Sequence, residues 1–301
     1  MTERSMGLKK RRKVLEGGAK LIFLFSASLS VVCLLFITLF IGWEGIPLLQ
    51  KVSLLDFLMG KEWAPPGDPP LFGILPLIAG SLWVTITSLV IAIPVGLSVG
   101  IYLAEISKGL FGRIIKSGVE LLAGIPSVVF GLFGYIVIAP WVRRCFGSPT
   151  GLGILTASLV LAIMVLPTII NITEATLRAV PRELKEASFA LGATHWQTLI
   201  KTCLPAGKSG IIAGIILGLG RSLGETMAVL MVAGNSITMP KSLLSLTRTL
   251  TMNIATDMKY AADAHWTSLF TTALVLFIFI LGLNLLVQRL LKNNLGKLLR
   301  P

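Results

Sequence analysis

Six long apolar stretches, near residues 20–42, 77–104, 118–141, 151–171, 206–234 and 267–291, limit what this chain can fold into. Each reaches the ~20 residues that an α-helix needs to cross ~30 Å of hydrocarbon. Inside a bilayer no water satisfies the backbone, so a spanning segment is a helix or part of a closed barrel. A barrel would show alternating strands of ~10 residues, and the sequence has none. Charged residues make up only 14% of the chain and mean hydropathy is +0.85, whereas a soluble domain carries roughly 25% charged residues. The expected fold is all-α: a polytopic membrane bundle of six transmembrane helices.

The formal charge of +13 invites a nucleic-acid reading, but the distribution of basic residues argues against it. Of the 27 lysines and arginines, 19 fall in residues 1–20, 105–117, 172–209 and beyond 288, while the other three loops share 7. Alternate loops are therefore basic, which by the positive-inside rule predicts that both termini are cytoplasmic. The run Lys9-Lys10-Arg11-Arg12-Lys13 reads as a topology anchor against anionic lipid. The apolar run after it is too long for a signal peptide and ends in Gly42-Trp43-Glu44-Gly45 with no A-x-A site, so it reads as the first membrane helix. Cys33, Cys145 and Cys203 fall at different depths and read as free thiols. His195 and His265 fall on opposite faces, which excludes a metal site shared between them. No Walker-A sequence occurs, and the spans hold no nucleophile–base set.

Residues 43–76 form the longest outer loop. Ile46 to Met59 suits a short interfacial helix, Trp63-Ala64-Pro65-Pro66-Gly67-Asp68-Pro69-Pro70 is turn chemistry, and Trp43 and Trp63 suit interfacial anchors. Within the spans, Gly96 and Gly100 lie four apart, and Gly210, Gly214 and Gly218 form a ladder, with Gly220 and Gly224 on another face. Such spacing lets membrane helices approach closely. Pro126 should open its helix locally, which is tolerated where protein or a wet cavity satisfies the freed backbone groups. Ser81, Thr85, Thr87 and Ser88 give the second span a polar side that either lines a path or bonds to a neighbouring helix.

The fifth span contains Arg221 and, four residues on, Glu225. A charge at mid-bilayer costs about 2.5–3.5 kcal/mol on insertion scales and usually faces protein or a solute path. On one continuous helix the two would lie a turn apart and pair. Two readings stand at this point: an element of an anion path, in which spare guanidinium donors meet an arriving oxyanion, or a structural pair that sets helix register. Glu105 and Glu120 read as interfacial, Glu174, Arg178, Arg182, Glu183 and Lys185 as the solvated side of the next loop, and Asn171 and Thr173 as caps or lining of an inner mouth.

That next loop, 172–205, has helical patterning. Pro181 can start a helix in which Leu184, Ala187, Ala190 and Leu191 share a face. Gly192 permits a reversal, and a second short helix runs from Trp196 toward Leu204-Pro205. An exposed apolar side on two short helices suits insertion into a partner's groove. Glu186-Ala187-Ser188, Gly192 and Leu204-Pro205 resemble the EAA loop of bacterial ABC importer permeases, with Ser188 in place of a common alanine and Thr202 in place of a common isoleucine. The resemblance implies a type I permease fold in which this loop docks onto a cytoplasmic ATPase.

Glu120 to Gly131, Ala179 to Leu184 and Leu217 to Val229 further resemble the C-type permease subunit of phosphate-specific (Pst) ABC importers. That resemblance implies an inner-membrane, multi-pass subunit without catalysis of its own. It implies partners too: a second, A-type permease, a dimeric ATPase that binds ATP and magnesium, and an external phosphate-binding protein. No cofactor is expected in this chain, and no nucleic acid. The expected layout is a basic tail at 1–19, a first span at 20–42, the outer loop at 43–76, a permease core at 77–291 and a cytoplasmic tail at 292–301. Other oxyanions, molybdate, sulfate or a phosphonate, remain open as substrates. A passive anion channel or a signalling scaffold is the reading from another class, and the EAA-like loop argues against it.

Overall fold

Two glycine ladders converge on a single helix, and that convergence organises the fold. The structure, a computed structural model, describes residues 3–298 apart from residue 108, with side chains described for 16–285 and for Arg289. The side chains of Lys9 to Lys13, and residues 1–2 and 299–301 at the two expected tails, lie outside the described residues. The elements run α1 (Glu3–Leu49), α2 (Leu54–Met59), β1 (Trp63–Ala64), β2 (Leu71–Phe72), α3 (Leu75–Ile101), α4 (Leu110–Gly124), α5 (Ser127–Phe133), α6 (Ala139–Phe146), α7 (Ile154–Arg178), α8 (Arg182–Ala190), α9 (His195–Thr198), α10 (Leu204–Gly224), α11 (Met227–Val232), α12 (Leu250–Asp257) and α13 (Asp263–Leu298). Among the described residues, six helical spans are long and apolar enough to cross a membrane: Glu16–Leu49, Leu75–Ile106, Ser127–Phe146, Ile154–Arg178, His195–Gly224 and Asp263–Leu285.

Helix α7 is the centre. A Cβ at Gly96 of α3 would stand 2.8 Å from Ile169 of α7, and one at Gly100 would stand 2.7 Å from Thr173. From the other side, Gly210, Gly214 and Gly218 of α10 face Thr176, Ile172 and Val165 of α7 at equally short range. Small residues at four-residue spacing let the three backbones approach closely, so dispersion contacts replace the hydrophobic drive that lipid removes. Gly118, Gly124, Gly220 and Gly224 have open space where a side chain would go, so those faces of α4 and α10 are unoccupied within this chain. By contrast α1 leaves the most apolar stretch of its span unburied and meets α13 near one end, where Thr271 donates to the Gly45 carbonyl at 2.7 Å and Phe40 meets Phe270 edge-on.

The loop after α1 packs as a cap on one end of the bundle. Leu48, Phe57, Trp63, Ile74, Leu77, Leu250 and Leu269 form one buried cluster, and β1 pairs antiparallel with β2 across the Pro-rich turn. Trp63 departs from its expected place at the membrane interface. It is 4% exposed, and its indole N–H donates to Asp257 at 3.3 Å. The tryptophan's polar tip finds a carboxylate inside the cap, which removes the reason to sit among headgroups. Trp43 stays exposed.

Two π-helical turns, Gly134–Ile138 and Leu199–Cys203, each end just before a helix that opens with proline, Pro140 in α6 and Pro205 in α10. Proline has no N–H to give the carbonyl four residues back. A wider turn re-routes that carbonyl without breaking the rod.

Candidate translocation and coupling site

Two helix breaks lie side by side. The first separates α4 from α5: Ile125 and Pro126 are extended, with ψ of 130° and 144°. Proline and its preceding residue disfavour helical continuation, so this break was legible in Ala123-Gly124-Ile125-Pro126. The second separates α10 from α11. Glu225 takes φ −70° and ψ 129°, so the expected single span over 206–234 is two helices. Its cause is tertiary, because no proline stands there. Thr251 of α12 donates to the Glu225 carbonyl at 3.0 Å, and the Glu225 carboxylate accepts the Ala228 N–H at 3.1 Å. Freed backbone groups thus find partners outside the helix, which is the condition for a broken helix at membrane depth.

Because the helix stops at Gly224, Arg221 and Glu225 do not sit one turn apart on a continuous rod. Among the described residues no ion pair joins them: Glu225 caps α11, and the Arg221 side chain is exposed with no hydrogen-bond partner. Its depth follows from its neighbour. Ser222 meets Ser88, buried, at 3.0 Å, and Ser88 is the middle residue of α3 (Leu75–Ile101). Arg221 therefore lies level with mid-span. Beyond each break the two short helices lock together, with a Cβ at Gly131 of α5 falling 3.0 Å from the Ala228 Cα of α11. The loop after α11 then closes over α7. Gly153 donates to the Val232 carbonyl at 2.9 Å, Ile154 to Ser245 at 3.1 Å and Leu155 to Leu243 at 2.8 Å, so carbonyls of the loop satisfy the first amides of a helix that lacks a side-chain cap.

The loop 172–205 folds as two short helices. Pro181 precedes α8, and Gly192, at φ +80°, makes the reversal that an L-residue resists. Thr194 and Gln197 form a capping box at α9, and Ser188 and Thr198 share a hydroxyl–hydroxyl bond of 2.9 Å that holds the two helices together. No residue of α8 is buried. Glu186 and Ala187 face solvent, and Leu184, Phe189, Leu191 and Trp196 stand exposed beside them, Leu191 at 90%. One tether runs back to the bundle: Lys185 donates to Glu105 at 2.6 Å, and the Glu105 side chain is only 8% exposed. Leu204 is half-buried and Pro205 exposed at the start of α10.

Residues 92–295 match the family described as the binding-protein-dependent transport system inner membrane component. The chain belongs to that family. A probable ABC transporter permease protein YqgH of Bacillus subtilis (strain 168) is 35% identical over 297 residues, covering 96% of both chains. The phosphate transport system permease protein PstC of Xylella fastidiosa (strain 9a5c) is 34% identical over 296 residues, covering 92% of this chain and 87% of that one. Among solved structures, a bacterial alginate ABC transporter in complex with an alginate pentasaccharide-bound periplasmic protein contains a chain that superposes with a TM-score of 0.60, at 14% identity over 90% of this chain and 95% of that one. This permease is accordingly a multi-pass inner-membrane protein with the ABC importer permease fold.

Several polar side chains of the permease sit where sequence patterning did not put them. Glu174 is buried, not solvated: it accepts from Lys116 of α4 at 2.7 Å and from Arg178 at 3.0 Å. Lys116 also donates to Asn171 at 2.9 Å, and Thr173 packs against Gly100. On the second span, Ser81 accepts the Leu250 amide at 2.9 Å and Ser88 meets Ser222, so this polar side binds neighbouring elements. A cluster at the cap, with Arg248 donating to Asn235, Asn253 and Asp257 at 2.6, 2.8 and 3.0 Å, had no sequence signal beyond isolated polar residues.

Proposed function

We propose that this permease is the C-type subunit of an ATP-driven inorganic phosphate importer. The observation that carries the reading is Arg221: a guanidinium with no partner among the described residues, level with mid-span, beside two helix breaks. An arginine held there unpaired is costly unless an anion or water meets it. Its planar donors suit the tetrahedral oxygens of phosphate, which they can hold two at a time. Resemblance to PstC relatives supports the same substrate class. One contact of this kind is weak enough for the ion to leave, which transport requires.

In this reading both termini and the loop 172–205 face the cytoplasm. Glu186, Ala187, Ser188, Gly192, Leu204 and Pro205 form the coupling segment. The apolar residues Leu184, Phe189, Leu191 and Trp196 enter a groove on a dimeric ATPase that supplies ATP and magnesium chemistry, and this chain carries no cofactor. Closure of that ATPase moves α8 and α9, and the Lys185–Glu105 tether passes the movement to the end of α3. A second, A-type permease covers the open faces of α4 and α10, an external phosphate-binding protein delivers the ion to the cap, and lipid surrounds α1. Glu225 serves the path by shaping the break beside Arg221.

The test is radiolabelled phosphate uptake by the complete transporter, with arsenate, sulfate and molybdate as competitors. Arg221→Gln and Arg221→Lys should assemble normally and lose uptake, and arsenate alone should compete. Wild-type uptake blocked by molybdate or sulfate instead would overturn the substrate. Full uptake by Arg221→Lys would remove arginine's direct contact with phosphate.

A further inference from the structure

At the end of the bundle that carries α8 and α9, a cavity of about 430 Å³ opens between the start of α4 and the end of α7. Its polar lining is Ser107, Arg113, Lys116, Ser117, Glu174 and Arg178. Among the described residues, three cations therefore face one carboxylate. Both Glu174 oxygens are occupied, one by Lys116 and the other by Arg178. Glu120 approaches Lys116 only to 3.9 Å from a side chain that is 62% exposed, where solvent screens it. Arg178 spends another N–H on the Leu103 carbonyl at 3.0 Å. The Arg113 side chain is exposed and makes no ion pair or hydrogen bond among the described residues.

The backbone adds to this field. Helix α4 starts at Gly109 without a side-chain cap, and Gly109 and Gly112 line the same cavity. The first amides of a helix carry partial positive charge and attract oxyanions. Immediately outside, Leu110, Phe111 and Ile114 are 74%, 65% and 59% exposed, so the cavity borders a surface suited to acyl chains. A surplus of cationic donors, uncapped amides and serine hydroxyls at a membrane-level rim is chemistry for a phosphate group.

We propose that this cavity binds a phosphate group, carried either by an anionic lipid headgroup or by free phosphate. The site is separate from the Arg221 break, because the cavity touches Leu103, in the turn Tyr102–Ile106 just past the end of α3, whereas Arg221 is level with the middle of that helix. Arg113 is the residue to change: it holds nothing else, so its removal strands no buried charge.

The experiment uses the assembled transporter, purified and delipidated in detergent. One arm titrates phosphatidylglycerol and phosphatidylcholine and counts bound lipid by native mass spectrometry. A second arm measures equilibrium binding of radiolabelled inorganic phosphate. Arg113→Gln should weaken the bound phosphate group about tenfold, as expected for loss of one charge-assisted hydrogen bond. Arg113→Lys should restore most of it, and Arg221→Gln should leave the Arg113-dependent component intact. Phosphatidylglycerol binding that follows Arg113, with phosphatidylcholine indifferent, assigns a lipid headgroup. A component of phosphate binding that follows Arg113 while phosphatidylglycerol does not assigns the free ion. Equal binding of both ligands to the wild type and Arg113→Gln, or none to the wild type, overturns the proposal. The intact mass of each variant complex verifies assembly in the same spectra.

Discussion

Gly131→Ala tests whether the two short helices past the breaks act as one unit. An added Cβ would meet the Met231 Sδ at 2.8 Å, the Ala228 Cα at 3.0 Å and the Ala228 carbonyl oxygen at 3.2 Å. The methionine end can swing away, but the Ala228 contacts are backbone. Comfortable carbon–carbon contact is about 3.5–4.0 Å, so α11 must retreat by roughly 0.5 Å or more from α5. Ala228 is fully buried, within the largest core cluster alongside Val229 and Val232, which leaves little slack. Overpacking of a tight core typically costs about 1–3 kcal/mol, and the backbone contact places this case near 2 kcal/mol. At about 2.1 cal/mol/K per residue, over the 301 residues of the chain, that corresponds to a melting-temperature drop of roughly 3 °C. Because α11 follows directly on Glu225, uptake should fall more than the lost stability alone explains at 25 °C. The assay is thermal unfolding of the purified complex together with initial uptake rates, with Gly282→Ala of α13 as the comparison because nothing lies within 4 Å of a Cβ at that position. A Gly131→Ala protein with unchanged melting temperature and unchanged uptake would refute the rigid α5–α11 contact.

Other substitutions probe separate parts of the argument. Ser88→Ala alone leaves the buried Ser222 hydroxyl short of its 3.0 Å partner and should cost about 1–2 kcal/mol, whereas the double Ser88→Ala, Ser222→Ala variant should cost less than the sum; thermal unfolding of the three variants decides it. Gly192→Val meets no atom within 4 Å but must hold φ +80°, a strain of about 1–2 kcal/mol for an L-residue. Phosphate-stimulated ATP hydrolysis and uptake should fall together while membrane insertion, read by immunoblot of membranes, stays normal. Asp257→Asn weakens the 3.0 Å bond from Arg248 and the Trp63 contact at 3.3 Å. Limited proteolysis should then cut the loop at 60–72 several-fold faster, and an unchanged cleavage rate would show that the cap holds without this carboxylate.

Local chemistry made much of this permease legible. Apolar length and the alternation of basic loops depend only on which residues lie near one another in the chain, so the six spans emerged from composition alone. The same holds for α8 and α9, whose start at Pro181, reversal at Gly192 and exposed apolar residues are short-range features. The glycine ladders announced close helix contact, and Pro126 announced one break. Tertiary structure decided the rest. Small residues say that a helix approaches another but not which one, and only the fold shows that Gly96, Gly100, Gly210, Gly214 and Gly218 all converge on α7. The break at Glu225 has no local breaker strong enough to signal it; Thr251, twenty-six residues later, supplies the bond that stabilises it. Trp63 and Glu174 read as interfacial and solvated because a polar group's fate depends on its partner. Those partners, Asp257, Lys116 and Arg178, arrive from other elements. Helix and span follow from periodicity and hydropathy, whereas an exposed arginine level with the middle of α3 exists only once distant segments have met.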